Sequence, residues 1–399
     1  MLMWMSRGGR VACLLAVSVA GCGFEHGALG SLDASTTTAD ATDGRAADAP
    51  DAPVTQLTHA RMIDVTDAEV IDGPHVDFPL LVSLQETWLR NVSQGGAVQS
   101  PQAYDVVFTA DAQGTTRLAH EIEGYDAATG QLVAWVKVPS LTSSTVLYIR
   151  YGDASITTSQ ENVAAVWSGG YAGVWHLGGL TDSAGTNTGT DGGPVQAAAM
   201  IGSGRTFDGA NDYIDTGSGT GIDDVFAAGG TAEGWVNATT FGESSRGRLF
   251  EKSDATATSG TAGWLLSVDN VNVSQSVFFA HDSTGGLGGW NAASGSFTTG
   301  AWNHIAVVYD QSSPANNPQI FINGNQVSVI ETFTPSGAMA SDAALSLRLG
   351  NRIAGDRTFD GTLDEERLST VPRSAGWIAT SYRNQHSPGT FYTVGAELP

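Results

Sequence analysis

The stretch Gln319-Ile320-Phe321-Ile322-Asn323-Gly324-Asn325-Gln326-Val327-Ser328-Val329-Ile330 is two β-branched and aromatic runs meeting across Asn-Gly-Asn. Asn and Gly tolerate the positive φ that a tight turn demands, so the stretch is a strong hairpin signal. Just upstream, His304 to Tyr309 is nearly all apolar, as expected of a central strand covered on both faces. Runs of the same kind recur at Ala232 to Val236, Trp264 to Val268 and Ser276 to Ala280. The loop Asp182 to Gly193 is too rich in Gly, Asn and Thr to be anything but a connection. With 50 glycines, frequent short strands and no helical periodicity of any length, an all-β sandwich or barrel is predicted.

Three further phrases occur in order across this half: FDGANDYIDTG (Phe207 to Gly217), GAWNHIAVVYD (Gly300 to Asp310) and FDGTLDEERLS (Phe359 to Ser369). Together they resemble the concanavalin A-like lectin/glucanase superfamily in its laminin G-like branch, over roughly residues 165–398. The resemblance implies a jelly-roll sandwich. It also implies a structural Ca²⁺ between the loop after the first strand and the late Asp-bearing strand, with Asp182, Asn187 and Asp364 at the matching positions. Hard oxygen ligands of this kind suit calcium. Locally, Asp182 also reads as a turn cap, and Asp364 as a partner of Arg367 or Arg352.

Glucanases of the superfamily carry a strand alternating Glu, Asp and Glu, with nucleophile and acid on one face. Here the matching strand is Thr362-Leu363-Asp364-Glu365-Glu366, and Thr362 stands where the first carboxylate would be. The chain lacks a GxSxG elbow, an HExxH helix and Cys/His zinc spacing. The expectation is a non-catalytic domain that binds polysaccharide or glycoprotein, with Trp264 and Trp290 as exposed rings stacking on sugars. An adhesion or scaffold protein binding a protein partner is the alternative, and a glycoside hydrolase the third. Asp208 and Asp212 read as turn residues, and His304 as strand-end packing.

Upstream, Phe78 to Leu84, Asp105 to Phe108, Leu132 to Val138 and Val146 to Tyr151 are short β runs separated by polar turns, predicting a small antiparallel domain over 59–157. The phrases DFPLLVSL, YDVVFTAD, LAHEIEGYD, AWVKVPSL and LYIRYGD resemble a bacterial domain of unknown function that commonly precedes laminin G-like domains. Within HEIEGYD, alternation puts Glu121 and Glu123 on one strand face roughly 7 Å apart. That spacing suits paired carboxylates, but the polar outer face of an edge strand gives the same pattern and is the reading adopted.

The first 22 residues combine Arg7 and Arg10 with an apolar run, Val11 to Ala20, too short to span a bilayer permanently. The run ends in Val19-Ala20-Gly21-Cys22, which resembles a bacterial lipobox. The resemblance implies a lipoprotein signal peptide over 1–22, lipid attached at Cys22 and, with Gly23 next, retention in the outer membrane of a Gram-negative cell. Residues 23–58, rich in Ala, Asp, Thr and Pro, cannot bury enough apolar surface to fold and read as an extended acidic tether. Of two cysteines, Cys13 leaves with the signal and Cys22 takes the lipid, so no disulfide is expected. A formal net charge of -23 argues against nucleic acid as a partner.

Overall fold

The computed structural model describes residues 57–254 and 262–399. Cys22, the signal segment and nearly all of the tether lie outside the described residues.

The apolar runs form strands where they were expected. Asn303–Tyr309 is buried along its whole length and lies between Gly230–Ala238 and Gln319–Ile322. The hairpin closes on a two-residue turn, Ile322 facing Asn325, with Asn323 at φ 52° and Gly324 at φ 73°. That is the doubly positive geometry that selects Asn-Gly. After the short strand Asn325–Val327 the chain crosses to a second sheet, where Val329–Phe333 pairs with Gly286–Ala292.

Two eight-stranded antiparallel sheets make the sandwich. One contains Ser203–Asp208, Asp360–Ser369, Gly230–Ala238 and Asn303–Tyr309 in neighbouring positions, with Tyr171–Trp175 paired onto Asp360–Ser369. The other runs through Gly286–Ala292, Ser276–Ser283, Gly263–Asp269 and Arg248–Ser253. Their inner faces share one core that includes Trp175, Phe207, Phe226, Trp264, Phe279, Trp290 and Tyr309. Burying each such side chain contributes roughly 1.5–3 kcal/mol, which accounts for a stable fold without a disulfide in the described residues.

The small β domain consists of a five-stranded sheet and a three-stranded one. In the latter, His75–Gln85 and His120–Asp126 flank Gln131–Leu141.

Two features correct the sequence expectation. A twelve-residue helix, Ala375–His386, follows the last sandwich strand. Beyond it Tyr392–Glu397 pairs with His59–Val65, so the chain's last segment belongs to the small domain's sheet, not to a sandwich ending at 398. The helix is capped by Ser374, whose side chain accepts the N–H of Trp377. Asn384 bonds both the N–H and the C=O of Leu81, and the Tyr392 hydroxyl does the same at Ser83. These contacts occupy backbone groups of a strand that lies at a sheet edge.

Candidate functional site

Where the three-stranded sheet meets the sandwich, a seam of apolar side chains forms from Leu81, Val133 and Trp135 on one side and Val174 and Ile201 on the other, with Val166 and Trp167 from the connecting segment. A charged cluster is buried within it. Glu121 and Glu123 reach it from the His120–Asp126 strand, whose polar face meets the sandwich instead of water. This corrects the solvent-facing reading of HEIEGYD.

Glu365 arrives by a bulge. Leu363 and Leu368 both face the sandwich core although they are five positions apart, an odd offset that a regular strand with its two-residue alternation does not allow. The register breaks opposite Glu233 and Trp235, and Glu365 sits at φ 56°, a conformation a non-glycine residue adopts only under constraint. His176 follows the Tyr171–Trp175 strand, just before Leu177 at φ 64°.

The imidazole joins these elements. Its Nδ1 lies 2.8 and 3.0 Å from the two oxygens of Glu365 and 3.6 Å from Glu123 Oε2, while Nε2 lies 3.2 Å from Glu121 Oε2. Glu121 also accepts Trp167 Nε1–H at 2.6 Å and the Ser183 hydroxyl at 2.7 Å. Glu123 accepts Trp135 Nε1–H at 2.9 Å. Arg367 donates to Glu365 at 2.5 Å, with its guanidinium 4.2 Å from the Trp135 ring and 4.9 Å from the Trp167 ring.

These contacts push the ionisations apart. Burial opposes charge on His176, but Glu365 and Glu121 overcome it and hold the imidazole's pKa well above its ordinary value. Burial likewise opposes ionisation of Glu365 and Glu121. The His176 charge, with Arg367 in the case of Glu365, brings Glu365 down to about 2 and keeps Glu121 below the usual range. Glu123, buried and facing Glu365, is pushed up to about 8.

A cleft of about 640 Å³ opens onto this cluster. Glu121, Glu123, His176, Asp182, Ser183 and Gln196 give it a polar lining. Neutral, hydroxyl-bearing and charged groups thus converge on one concavity assembled from both domains.

Asp182 and Asn187 meet, but as a loop staple. Asp182 Oδ1 accepts the N–H groups of Val174, Ala184 and Gly185, and Oδ2 those of Asn187's backbone and side-chain amide. The carboxylate is filled by five donors, and Asn187 turns its N–H toward it, leaving no oxygen shell at this point. Asp364 is engaged elsewhere: Oδ2 accepts Ile201 N–H at 2.8 Å, and burial with Glu365 beside it raises its pKa well above the carboxylate range. The three residues do not fit a calcium shell.

Trp264 and Trp290 are 1% and 0% exposed, so the expectation that they present rings to solvent is corrected. Trp264 packs edge-on against Phe226, and Trp290 stacks with Phe279 and donates to Asn317 at 2.7 Å. His304 is buried against Trp235 and Tyr382. Asp208 and Asp212 bond within their own turn, Asp208 to Ala210 and Asn211, and Asp212 to the Asp208 N–H.

Sequence reasoning gave no functional role to His176, Glu365, Ser183 or Gln196. One signal was present: Asp364 to Arg367 puts four charged residues in succession between Leu363 and Leu368, so both faces of that strand carry charge.

Two family models agree with this architecture. Residues 208–379 match the family described as the concanavalin A-like lectin/glucanases superfamily, and residues 102–175 match a domain of unknown function, DUF2341. No curated protein matches the chain. Among solved structures it is similar to domain 4 of AbnA, a GH43 extracellular arabinanase from Geobacillus stearothermophilus in complex with arabinotriose. That similarity has a TM-score of 0.39 and 18% identity, over 53% of this chain and 98% of that one. It is also similar to the binding domain of Paraclostridial Mosquitocidal Protein 1, with TM-score 0.42 and 12% identity over 53% of this chain and 52% of that chain. The botulinum neurotoxin serotype D binding domain gives TM-score 0.41 and 12% identity over 54% and 52%. The chain spans about half the length of these two toxin domains. The chain therefore carries a domain of the concanavalin A-like lectin/glucanases superfamily at residues 208–379, preceded by a DUF2341 domain matched over residues 102–175.

Proposed function

We propose that the chain is a non-catalytic carbohydrate-binding protein whose ligand, a polysaccharide or the glycan of a glycoprotein, lies in the cleft at the seam between the two domains. The observation that carries this reading is the cleft's lining: Glu121, Glu123, His176, Ser183 and Gln196 around about 640 Å³. Sugars are recognised by convergent hydrogen-bonding groups in a concavity of this size.

Binding is favoured over hydrolysis because the carboxylates are already committed. Both oxygens of Glu121 are bonded, and the Glu365 side chain is 0% exposed. Glycoside cleavage needs two carboxyl groups free to flank the scissile bond, and Glu123 alone does not supply them. In keeping with the lipobox-like Val19 to Cys22, we further propose that lipid on Cys22 and the acidic tether hold the protein on the outer membrane, facing outward.

Affinity electrophoresis of the full chain through gels containing different polysaccharides tests the reading, with a reducing-end assay on the same polymers. Retardation by at least one polymer without new reducing ends is expected. Release of reducing ends would replace the binding reading with a hydrolytic one.

A further inference from the structure

At the head of the cleft, three side chains from three separate elements offer one ligand atom each, all within 4.8 Å of one another: Glu123, His176 and Glu365. A tetrahedral ion holding N and O ligands at about 2.0–2.2 Å sets neighbouring ligands about 3.4 Å apart. The separations here, 2.8 Å from Nδ1 to Glu365 and 3.6 Å from Nδ1 to Glu123, bracket that spacing.

The histidine is oriented as a metal-bound one is. Its Nε2 faces the Glu121 carboxylate at 3.2 Å, which leaves Nδ1 directed at the two other glutamates. A ligating imidazole commonly gives its second nitrogen to a carboxylate in this way, fixing ring and tautomer. The outer contacts are complete: Trp167 and Ser183 hold Glu121, Trp135 holds Glu123, and Arg367 holds Glu365.

An independent feature points the same way. Asp364, next to Glu365 in the bulge, is 0% exposed, and its Oδ1 has no hydrogen-bond partner. It interacts electrostatically with Glu365, Glu123 and His176. The carboxyl groups of Glu121, Glu123 and Glu365 therefore share this pocket with His176 and Arg367, and an ion bound through Nδ1 would displace the proton that His176 holds there. Glu123 and His176 line the cleft, which gives an ion a route in and leaves room for a further ligand on that side.

We propose that Glu123, His176 and Glu365 form a binding site for a divalent transition metal of the zinc class, with Glu121 as the outer carboxylate and one coordination position open to the cleft. Imidazole nitrogen with two carboxylates favours such an ion over calcium, which takes six to eight oxygens. The site stands whether or not a sugar enters the cleft.

The test uses the full chain, stripped with chelator and titrated with zinc chloride by isothermal calorimetry, followed by a zinc-edge anomalous map of its crystals. One equivalent is expected to bind, with the ion within about 2.2 Å of His176 Nδ1 and an oxygen from each of Glu123 and Glu365. Glu121→Gln, which alters only the outer carboxylate, should weaken zinc about 10–100-fold while circular dichroism stays unchanged. Glu365→Gln should weaken it at least as much. Absence of heat and of an anomalous peak would show a buried salt-bridge cluster only and overturn the proposal. So would an ion located elsewhere, or a folded Glu121→Gln chain that binds zinc as tightly as the native one.

Discussion

Replacing Arg367 with methionine isolates what the seam's cation contributes. The guanidinium is 2% exposed, bonds Glu365 at 2.5 Å and lies against the faces of Trp135 and Trp167. Methionine keeps most of the apolar stem and removes only the charge and the planar head. Glu365, itself 0% exposed, would then stay charged with His176 as its one remaining cationic partner. Breaking a buried pair by deleting one partner costs about 3–5 kcal/mol, because the surviving charge loses compensation it cannot regain from water. Loss of stacking on two indoles adds roughly 1 kcal/mol or more. Urea unfolding at neutral pH should therefore show Arg367→Met destabilised by about 4–6 kcal/mol, combining these two contributions. Arg383→Met is the control: its ion pair with Glu69 is 3.6 Å long and its side chain 40% exposed, so under about 1 kcal/mol is expected. If the two variants lose similar amounts, the seam is not held together electrostatically as described.

Further outcomes follow from individual contacts. Trp264→Ala should cost about 3–5 kcal/mol as a core cavity, with the ligand affinity of the folded fraction unchanged; calorimetric binding with intact affinity confirms this, and lost affinity returns the ring to the binding site. Asp182→Ala should open the 183–187 loop and lower the melting temperature, while millimolar calcium leaves the native melting temperature unmoved; stabilisation by calcium would contradict the loop-staple role. Burial, with Arg367 adding to it, holds the His304 imidazole down to about 3. A histidine depressed in the folded state contributes stability above its unfolded pKa of about 6.5 and loses it as the pH falls toward 3, by up to about 1.4 kcal/mol per pH unit. His304→Phe should flatten stability against pH by that one proton, and an unchanged slope between pH 6.5 and 5 would refute the assignment. Ending the chain before Ala375 removes the helix and the partner of His59–Val65, so hydrogen exchange should show the small domain's five-stranded sheet unprotected; full protection would refute its dependence on the C-terminus.

The sandwich was legible because its signals are local. Asn323-Gly324 specifies a turn, and the apolar run in Asn303–Tyr309 specifies a strand covered on both faces. The Ala375–His386 helix was not, because four of the seven residues it buries are polar: Thr380, Ser381, Asn384 and Gln385 sit inward and are satisfied by hydrogen bonds, so no apolar stripe appears. Trp290 misled for a different reason. Gly288 and Gly289 resemble a loop, yet they lie in a strand where a Cβ would come within 2.9 Å of the Trp290 ring and 2.8 Å of the Phe278 ring. They are small to make room for aromatics. The charged cluster was hardest to read, since Glu121 and Glu123 alternate identically whether their face meets water or a second domain. Only tertiary packing brings them to Glu365, some 240 residues away.

The seam cleft's role as the ligand site is tested most directly by a glycan and polysaccharide array run with the full chain and with Gln196→Trp. Gln196 is an exposed cleft residue, so the indole should fill the opening without disturbing the core. Binding to a defined set of glycans by the native chain, abolished in the variant, is the expected result. Equal binding by both chains would move the site elsewhere on the molecule. No binding by either would contradict carbohydrate recognition and favour a protein partner.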